Sequence, residues 1–368
     1  MQIGIDLRLH AYAPGGISRY ARRLARALAE ELVAGEDLTL ISHRRDSDPL
    51  RLPAARSYRA WTPPHHRLER WALGAEIWPL RLDVLHSTDF IPPAWGARRL
   101  VTTVHDLNFL HYPEYLTKDA RRYYNEQIAW GVSRADAILV DSYATQRDLQ
   151  RLLGVDPERV TVTYLAADER FRVLPKSEVL TCLERFSLTP GYLLFVGVWE
   201  PRKNLPGLLE SLALLRDAGD ASRLVIVGRP GWLYDEIYAR VRTLDLVSSV
   251  RFIEAPPVDD LVGLYNGAAA LIMPSFYEGF GLPPLEAMQC GTPTIVSNRA
   301  SLPEVVGHAG LLVDPDDPQA LAEACRAVLS DAELRQRMRQ LGLQQASNFT
   351  WQATAEKTVQ VYRTVARR

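Results

Sequence analysis

The sequence has few lysines. Of its 43 cationic side chains only four are lysines, and the other 39 (43 − 4) are arginines. The lysines are Lys118, Lys176, Lys203 and Lys357. Lys203 therefore stands out, because a cation in this chain is arginine by default. The three cysteines match neither a metal site nor a disulfide framework in their spacing, which favours a reducing, cytoplasmic compartment.

Other absences exclude several classes of protein. No apolar run approaches the roughly 20 residues that a membrane span needs. Met1 leads directly into a predicted strand, so we expect no signal peptide. The formal net charge of −1 gives no overall attraction to nucleic acid or to a membrane. The sequence also lacks a G-x-G-x-x-G fingerprint and a Walker A lysine loop, which argues against a dinucleotide dehydrogenase or a nucleoside triphosphatase.

What is present predicts an α/β protein with two doubly wound parallel sheets. The 368 residues suffice for two domains, and short apolar runs alternate with helical patterns in both halves. We expect a Rossmann-like domain over 1–172, a linker over 173–190, a second Rossmann-like domain over 191–349 and a separate helix over 350–368. The stretch 53–80, rich in proline, tryptophan and histidine, is interpreted as loop with a helix near Leu68 to Leu73.

The most informative stretch runs from Leu271 to Asn298. An apolar strand is followed by Glu278, by a loop with Gly279 and Gly281, and by a helix that starts at the prolines after Leu282. The start of a helix after a glycine loop favours an anion, since its N–H groups and its dipole face the ligand. A carboxylate beside such a site is suited to hydroxyl groups, as in a sugar or a ribose. The alternative is an ordinary turn with two surface glutamates.

The run E-G-F-G-L-P-P-L-E, with seven residues between Glu278 and Glu286, resembles the signature of family 4 retaining glycosyltransferases of the GT-B fold. The resemblance implies two Rossmann-like domains facing a cleft, with the terminal helix packed on the N-terminal domain. It also implies that Glu286 binds the ribose of a sugar nucleotide and that Glu278 contacts the transferred sugar. Sugar and phosphate would meet the backbone around Gly279, Phe280, Gly281 and Leu282.

A second motif, after the first strand of the second half, carries two cations. Gly197 ends that strand, and Arg202 and Lys203 follow in a segment that resembles the family's strand–glycine–basic pattern. In the family these cations neutralise the nucleotide diphosphate, where charge grows as the glycosidic bond breaks. The alternative is an exposed basic loop. By the same resemblance the nucleobase lies near the next strand ends, and Glu254 is a candidate for reading a base edge.

Two features of the first half resemble segments that contact the donor in the family. Gly15 and Gly16 form a turn before a helix, at the place of a glycine-rich loop that closes over the donor; the alternative is a flexible turn. His105 follows a strand in the motif V-H-D-L, where family members have a histidine that contacts the donor sugar. A structural role is the alternative for His105, and His86, at another strand end, is an open candidate for the acceptor side.

The helix after Gly16 places four arginines on one face. Arg19, Arg22, Arg23 and Arg26 follow the helical spacing i, i+3, i+4 and i+7. Such a face is commonly just solvated. The sharper hypothesis is peripheral contact with an anionic membrane or with a lipid-diphosphate acceptor.

The resemblance as a whole implies a retaining hexosyltransferase. The order of motifs is most similar to bacterial mannosyltransferases of polysaccharide assembly, so GDP-mannose is the favoured donor and a lipid-linked saccharide the favoured acceptor. No Asp-x-Asp metal motif is placed at the expected cleft, so we expect that donor binding requires neither a metal nor any other cofactor. The protein would then be cytoplasmic, at the inner face of the membrane. Catalytic roles fall to His105, Glu278, Lys203 and Arg202.

Four alternatives remain open at this point. The donor is UDP-glucose or UDP-GlcNAc in the first. In the second, the chain is a sugar-phosphate synthase, with Arg8, Arg121 and Arg122 as candidate ligands of a phosphorylated acceptor. The third is a nucleotide-sugar epimerase that needs no acceptor, and the fourth is a non-catalytic nucleotide-sugar-binding subunit.

Overall fold

The computed structural model describes residues 1–12, 15–66, 68–115, 117–231 and 234–368. The strands are β1 Gln2–Asp6, β2 Asp37–His43, β3 Ala55–Ala60, β4 Leu82–Ser87, β5 Ala97–Val104, β6 Ala137–Val140, β7 Val160–Val162, β8 Tyr192–Val196, β9 Leu224–Gly228, β10 Val250–Glu254, β11 Ala268–Met273, β12 Thr294–Ser297 and β13 Leu311–Val313. The helices are α1 Gly16–Glu31, α2 Glu69–Ile77, α3 Asn108–His111, α4 Lys118–Arg134, α5 Tyr143–Leu153, α6 Lys176–Arg185, α7 Leu205–Asp217, α8 Tyr234–Thr243, α9 Val258–Gly267, α10 Leu282–Gln289, α11 Leu302–Val306, α12 Pro318–Ser330, α13 Ala332–Ala346 and α14 Trp351–Arg367.

The chain forms two compact units. The first comprises Met1–Leu165 together with Thr350–Arg368, and the second comprises Ala166–Phe349. The second unit begins earlier than expected, because residues 173–190 are part of it and do not form a separate linker. They contain α6, whose Val179, Cys182 and Leu183 are buried, and α6 packs on α9 of the same unit. Apolar burial therefore attaches this segment to the second unit.

The first unit is built on a parallel sheet with the order β3-β2-β1-β4-β5-β6-β7. The central strands are buried on both faces, as expected for a parallel sheet with helices on either side. Helix α14 packs on α1, and its Tyr362 hydroxyl lies 2.6 Å from His86 Nδ1 of β4. The end of the chain thus completes the layer that α1 begins.

The stretch 53–80 is more ordered than the sequence predicted. It contains β3, and α2 covers Glu69–Ile77 instead of Leu68 to Leu73. The sequence does not predict β3, because the residues of this strand, ARSYRA, are mostly polar. It lies at the edge of the sheet, where only one neighbour and little apolar contact are needed.

The second unit repeats the design with the order β10-β9-β8-β11-β12-β13, again parallel. All five side chains of β8, YLLFV, are buried. The core of the second unit contains Trp199, which is fully buried, together with leucines of α7 and apolar residues of α12. Both sheets therefore confirm the expected doubly wound α/β architecture. No helix in the described ranges is both long enough and apolar enough to span a membrane.

Candidate active site

The candidate site lies at the point where the second sheet changes direction. The chain moves from β8 to β9 and β10 on one side, then returns to place β11 on the other side of β8. Ligands of doubly wound sheets bind beyond the carboxyl ends of the strands at this switch point, since the two outgoing loops separate there. Those loops are 197–204 after β8 and 274–281 after β11.

Three charged side chains connect the two loops. Lys203 Nζ donates to Glu278 Oε1 over 2.5 Å, and an Arg202 terminal nitrogen donates to Glu278 Oε2 over 2.9 Å. Arg202 Nε in turn donates to Glu200 over 2.9 Å. The backbone joins the loops as well, because Phe276 N–H donates to the Arg202 carbonyl. We call Arg202, Lys203 and Glu278 the switch-point cluster.

The switch-point cluster is largely withdrawn from water. Lys203 and Glu278 are each 7% exposed. Burial by itself would raise the pKa of Glu278, but the charges of Lys203 and Arg202 outweigh it and lower that pKa to about 2. The carboxylate is therefore ionised at neutral pH and acts only as a hydrogen-bond acceptor. Burial is also the largest influence on Lys203, and it lowers the pKa of the ammonium although Glu278 opposes it.

One buried hydroxyl, that of Ser301, contacts the backbone of the glycine loop. Ser301 Oγ, fully buried, lies 2.8 Å from the Glu278 carbonyl and 2.7 Å from the Phe280 carbonyl. Gly281 has φ +108°, and a Cβ there would lie 2.7 Å from Leu302 Cδ2. Glycine at 281 is therefore required by the fold. Gly279 and Phe280 are buried, and Leu282 is partly buried.

Helix α10 begins at Leu282, directly after this loop, with prolines in its first turn. Because Pro283 and Pro284 have no N–H group, the donors at this helix start lie on either side of the two prolines. Glu286, one turn further on, accepts a hydrogen bond of 2.8 Å from the Tyr265 hydroxyl of α9. Tyr265 is fully buried and so fixes the glutamate in place.

The other expected donor residues of this unit follow strand ends. Gly197 comes directly after β8, and its N–H donates to Val227 over 3.0 Å. A Cβ at Gly197 would meet only ordinary contacts, the shortest 3.5 Å from the Phe195 ring, whereas a Cβ at Gly228 would lie 1.8 Å from the Gly197 carbonyl. Glu254 is exposed at the end of β10, the edge strand two positions from β8, and is not part of the switch-point cluster.

His105 lies in the first unit, directly beyond the end of β5. Its Nδ1 lies 2.7 Å from Asp141 Oδ2 and its Nε2 lies 3.1 Å from the Thr88 carbonyl. A carboxylate and a carbonyl both accept hydrogen bonds, so both ring nitrogens must carry hydrogen and the ring is a cation. Burial opposes this charge, but Asp141 outweighs burial and raises the pKa of His105 to about 9.

A chain of buried polar groups lies behind His105. The Tyr20 ring packs edge-on against the His105 ring at 4.7 Å, and the Tyr20 hydroxyl lies 3.0 Å from Thr103 Oγ1. Thr103 lies 2.7 Å from His86 Nε2. His86 is fully buried, and burial lowers its pKa to about 3. His86 is thus a neutral link between β5 and the Tyr362 hydroxyl, which makes it a packing residue rather than a surface for an acceptor.

Gly15 and Gly16 lie at the start of α1, directly after Ala13 and Pro14, which lie outside the described residues. Gly15 is the N-cap with φ −114°, a value open to any residue. A Cβ at Gly16 would meet nothing within 4 Å. The backbone angle at Gly15 and the open space at Gly16 therefore do not themselves demand glycine.

The arginines of α1 are not equivalent. Arg19 and Arg26 are exposed, whereas Arg22 pairs with Asp48 over 3.0 Å. Arg8, a candidate ligand of a phosphorylated acceptor, is 1% exposed. Its guanidinium is bonded to Asp6, to Glu69 and to the Thr62 carbonyl. Arg8 is therefore committed to the interior of the first unit.

Sequence reasoning missed the residues that hold the candidates in place. These are Glu200, Tyr265 and Ser301 in the second unit, and Tyr20 and Asp141 in the first. Glu200 lies in the same loop as Arg202, which it supports, whereas the other four lie on different elements from the residues that they support, so that spacing could not reveal them. The nearest signal is position, since Asp141 directly follows β6, next to the end of β5 in the sheet.

The chain has the architecture of the GT-B glycosyltransferases, which is two Rossmann-like units. A cation pair and a glutamate–glycine loop meet at the switch point of its second unit. Residues 184–345 match the family described as "Glycosyl transferases group 1", and residues 14–171 match the family described as "Glycosyltransferase Family 4". The chain is 35% identical over 301 residues to the O-antigen chain mannosyltransferase B of Escherichia coli, an alignment that covers 81% of this chain and 78% of the relative. The chain belongs to this glycosyltransferase family.

Solved structures agree on the fold. Sucrose-phosphate synthase from Thermosynechococcus elongatus superposes with a TM-score of 0.79 at 23% identity, covering 99% of both chains. The Anabaena protein HepE, determined with UDP-glucose, superposes with a TM-score of 0.77 at 16% identity, again over 99% of both chains. Identities this low establish the architecture and leave donor and acceptor open.

Proposed function

We propose that the chain transfers mannose from GDP-mannose, with retention of configuration, to a lipid-linked saccharide during assembly of a cell-surface polysaccharide. The observation that carries this proposal is the switch-point cluster, in which two cations and an ionised carboxylate meet beside a glycine loop. Mannose is favoured because the O-antigen chain mannosyltransferase B is 35% identical to this chain. The enzyme would work at the cytoplasmic face of a membrane.

In the proposed reaction the bond from C1 of mannose to the diphosphate oxygen breaks, and a bond from C1 to the acceptor oxygen forms on the same face. The acceptor proton passes to the departing diphosphate. Arg202 and Lys203 counter the charge that grows on that diphosphate. The amide groups around Phe280, Gly281 and Leu282 hold its oxygens, next to the start of α10.

The carboxylates bind hydroxyl groups in this proposal. Glu278 is ionised and acceptor-only, which suits sugar hydroxyls. Glu286, which accepts a hydrogen bond from Tyr265, is assigned to the ribose. His105 contributes a fixed positive charge to the donor sugar, because its two N–H groups already have protein partners. Gly15, Gly16 and Gly197 leave room for the donor, and Glu254 is the candidate for contact with the base.

We propose that donor binding needs neither a metal nor another cofactor, because Arg202 and Lys203 supply the positive charge that a divalent cation would otherwise bring to the diphosphate. Removal of divalent cations by a chelator should leave GDP-mannose affinity unchanged. A large loss of affinity in the chelator would contradict this part of the proposal.

A sugar-phosphate synthase has less support. Arg8, one of its three candidate phosphate ligands, is enclosed by Asp6 and Glu69. Arg122 pairs with Glu126 over 3.0 Å on the exposed side of α4. UDP-glucose is the second candidate donor. The HepE structure was determined with it, but at 16% identity that structure supports the shared fold and not the donor.

Calorimetric titration with GDP-mannose, GDP, UDP-glucose, UDP-GlcNAc and UDP tests the donor. We expect tight binding of the guanine nucleotides and weak binding of the uracil nucleotides. A preference for uracil would overturn GDP-mannose but keep the enzyme class. Absence of binding to all five would contradict the assignment of the site and favour a chain without catalytic activity.

A further inference from the structure

Helix α2 of the first unit is apolar on both faces. Leu73, Gly74 and Ile77 are buried, and the two larger side chains pack with Ile41, Ala60, Leu82 and Leu85 in one core cluster. The opposite face carries a second apolar set at helical spacing, all of it exposed: Leu68, Trp71, Ala72, Ala75, Trp78 and Pro79. We call these six residues the tryptophan stripe. Apolar residues thus occupy two faces of α2, although the helix also carries Glu69, Arg70 and Glu76.

The exposure of the tryptophan stripe is large. Leu68 is 60% exposed, Trp71 57% and Trp78 62%. Trp95 extends the same surface, because its ring centroid lies 5.6 Å from that of Trp78 and it is itself 38% exposed. Isolated exposed apolar residues are normal on a protein surface, but a contiguous group with several indole rings marks a place of interaction.

The segment around the tryptophan stripe is positively charged. Residues 44–81 contain eight arginines and four carboxylates, a balance of +4 (8 − 4), whereas the whole chain has −1. The remainder of the chain is therefore at −5 (−1 − 4). Two of the four carboxylates, Asp46 and Glu69, are buried, and a third, Glu76, binds the backbone N–H groups of Trp61 and Thr62.

Six arginines of this segment are exposed among its described residues. Exposed guanidinium groups belong to Arg44, Arg45, Arg51, Arg56, Arg59 and Arg81. Arg59 donates to the Arg44 and Asp46 carbonyls, which orient its charge without neutralising it. The partner of this surface must therefore accept indole rings and also be negatively charged.

We propose that the tryptophan stripe docks the first unit on an anionic lipid bilayer. Indole rings combine a large apolar body with a polar N–H and are favoured at the boundary between acyl chains and headgroups. The exposed arginines of the same segment, such as Arg81 three residues after Trp78, can pair with anionic headgroups. This inference rests on the proposed function only for its purpose, since an acceptor carried on a lipid has to be reached at a membrane.

The arginine face of α1 is not part of the same docking surface. Helix α1 packs on α14, which contacts His86 of β4, whereas α2 packs on Leu85, the preceding residue of that strand. Neighbouring residues of a strand point to opposite faces, so α1 and α2 cover opposite faces of the sheet. In addition, no large apolar residue of α1 is among the exposed ones in the described part of the chain.

Co-sedimentation of the full chain with vesicles tests the proposal. One vesicle population contains phosphatidylglycerol and phosphatidylcholine, and the other contains phosphatidylcholine alone. We expect binding to the first, little binding to the second, and at least a tenfold loss of binding in Trp71→Ser/Trp78→Ser and in Arg56→Glu/Arg81→Glu. Arg19→Glu/Arg26→Glu should retain most of the binding.

Controls come from the second unit. Val247→Ser removes an apolar residue that is 65% exposed, and Arg326→Glu/Arg337→Glu reverses two exposed arginines. Neither should change vesicle binding. Circular dichroism establishes that each variant is folded, which is expected because all the replaced side chains are on the surface.

Two results would overturn the proposal. The first is vesicle binding by Trp71→Ser/Trp78→Ser equal to that of the parent, or no vesicle binding by the parent. The second is a dimer in sedimentation velocity that this double variant dissolves, since the stripe would then be covered by a second copy. GDP-mannose affinity in the absence of vesicles should be the same in parent and double variant, so failure of the docking surface and failure of the proposed donor are separable.

Discussion

Glu278 is the residue on which the proposed chemistry depends most. It receives hydrogen bonds from both cations of the switch-point cluster, and its carbonyl receives one from Ser301. A carboxylate that is 7% exposed is stable only when its charge is compensated. The same compensation keeps Arg202 and Lys203 fixed at the point where a diphosphate would lie. Structure and proposed catalysis therefore use the same three side chains.

Replacement of Lys203 by methionine should slow turnover, and it should also lower the stability of the second unit, because Glu278 then keeps only Arg202 as a compensating charge. The ammonium is proposed to stabilise the leaving diphosphate, and loss of one such group costs roughly 10²-fold or more in turnover. Steady-state kinetics with GDP-mannose measures the effect. Lys176→Met, at an exposed lysine of the same unit, is the matched control and should be unchanged. Near-parental turnover of Lys203→Met would remove this residue from the mechanism.

The His105 ring should titrate near pH 9 because of Asp141. Since the folded pKa is raised above its ordinary value of about 6.5, the protonated ring stabilises the fold fully below about pH 6.5. That contribution is lost as the pH rises towards 9. NMR titration of the ring carbons measures the pKa directly.

In Asp141→Asn the pKa of His105 should fall towards or below its ordinary value, because the charge that outweighs burial is gone. Asp106→Asn is the control, as Asp106 bonds to Asn108 instead. An unchanged His105 pKa in Asp141→Asn would disprove the pairing that the contacts define.

At the scale of elements, the decisive feature is how the glycine loop passes into α10. Gly281 adopts a left-handed conformation, and the space for a Cβ is filled by Leu302 of α11. Gly16, at the start of α1, has neither constraint. Gly281 is thus required by the fold, whereas a requirement for glycine at position 16 would have to come from a ligand.

Gly281→Ala should destabilise the second unit by about 1–3 kcal/mol, through backbone strain and contact with Leu302. Chemical denaturation measures the free energy of unfolding. Gly16→Ala should leave that free energy unchanged or slightly increased, because alanine is favoured over glycine in a helix. If the donor approaches Gly16 as proposed, Gly16→Ala should nevertheless weaken GDP-mannose binding. Equal stability losses in the two variants would contradict this distinction.

The sequence predicted most of these elements because buried parallel strands are continuous apolar runs. YLLFV of β8 and AAALIM of β11 are examples. The sequence did not predict β3, because this polar edge strand has no apolar period. It did not predict α6 either, because the prolines around this helix are typical of a linker. The site motifs were found through their resemblance to a family. Their supporting residues were not, because tertiary contacts such as Glu286 with Tyr265 leave no local pattern.

At the scale of the whole molecule, the chain closes its first unit with its last helix. Tyr362 of α14 is fully buried and bonded to His86, and Thr354 Oγ1 donates to the Tyr164 carbonyl over 2.6 Å. Arg363 binds Glu36 through two hydrogen bonds of 2.8 Å. The stability of the first unit thus depends on residues more than 180 positions away in sequence.

Tyr362→Phe should destabilise the protein by about 1–3 kcal/mol, since His86 Nδ1 loses its partner in a fully buried place. Thermal unfolding monitored by circular dichroism measures the change. Tyr143→Phe, at a half-exposed tyrosine of α5, is the control for loss of a hydroxyl. Unfolding at the parental temperature would show that the hydrogen bond contributes nothing to the docking of α14.

The most direct test of the switch-point cluster compares GDP and GDP-mannose binding by calorimetry in Glu278→Gln and in the parent, with thermal unfolding recorded for both. Glu278 is proposed to bind sugar hydroxyls, whereas the cations hold the diphosphate. We predict that Glu278→Gln weakens GDP-mannose binding at least tenfold and changes GDP binding much less. Equal losses for the two ligands, or no loss for either, would contradict the assignment of Glu278 to the sugar.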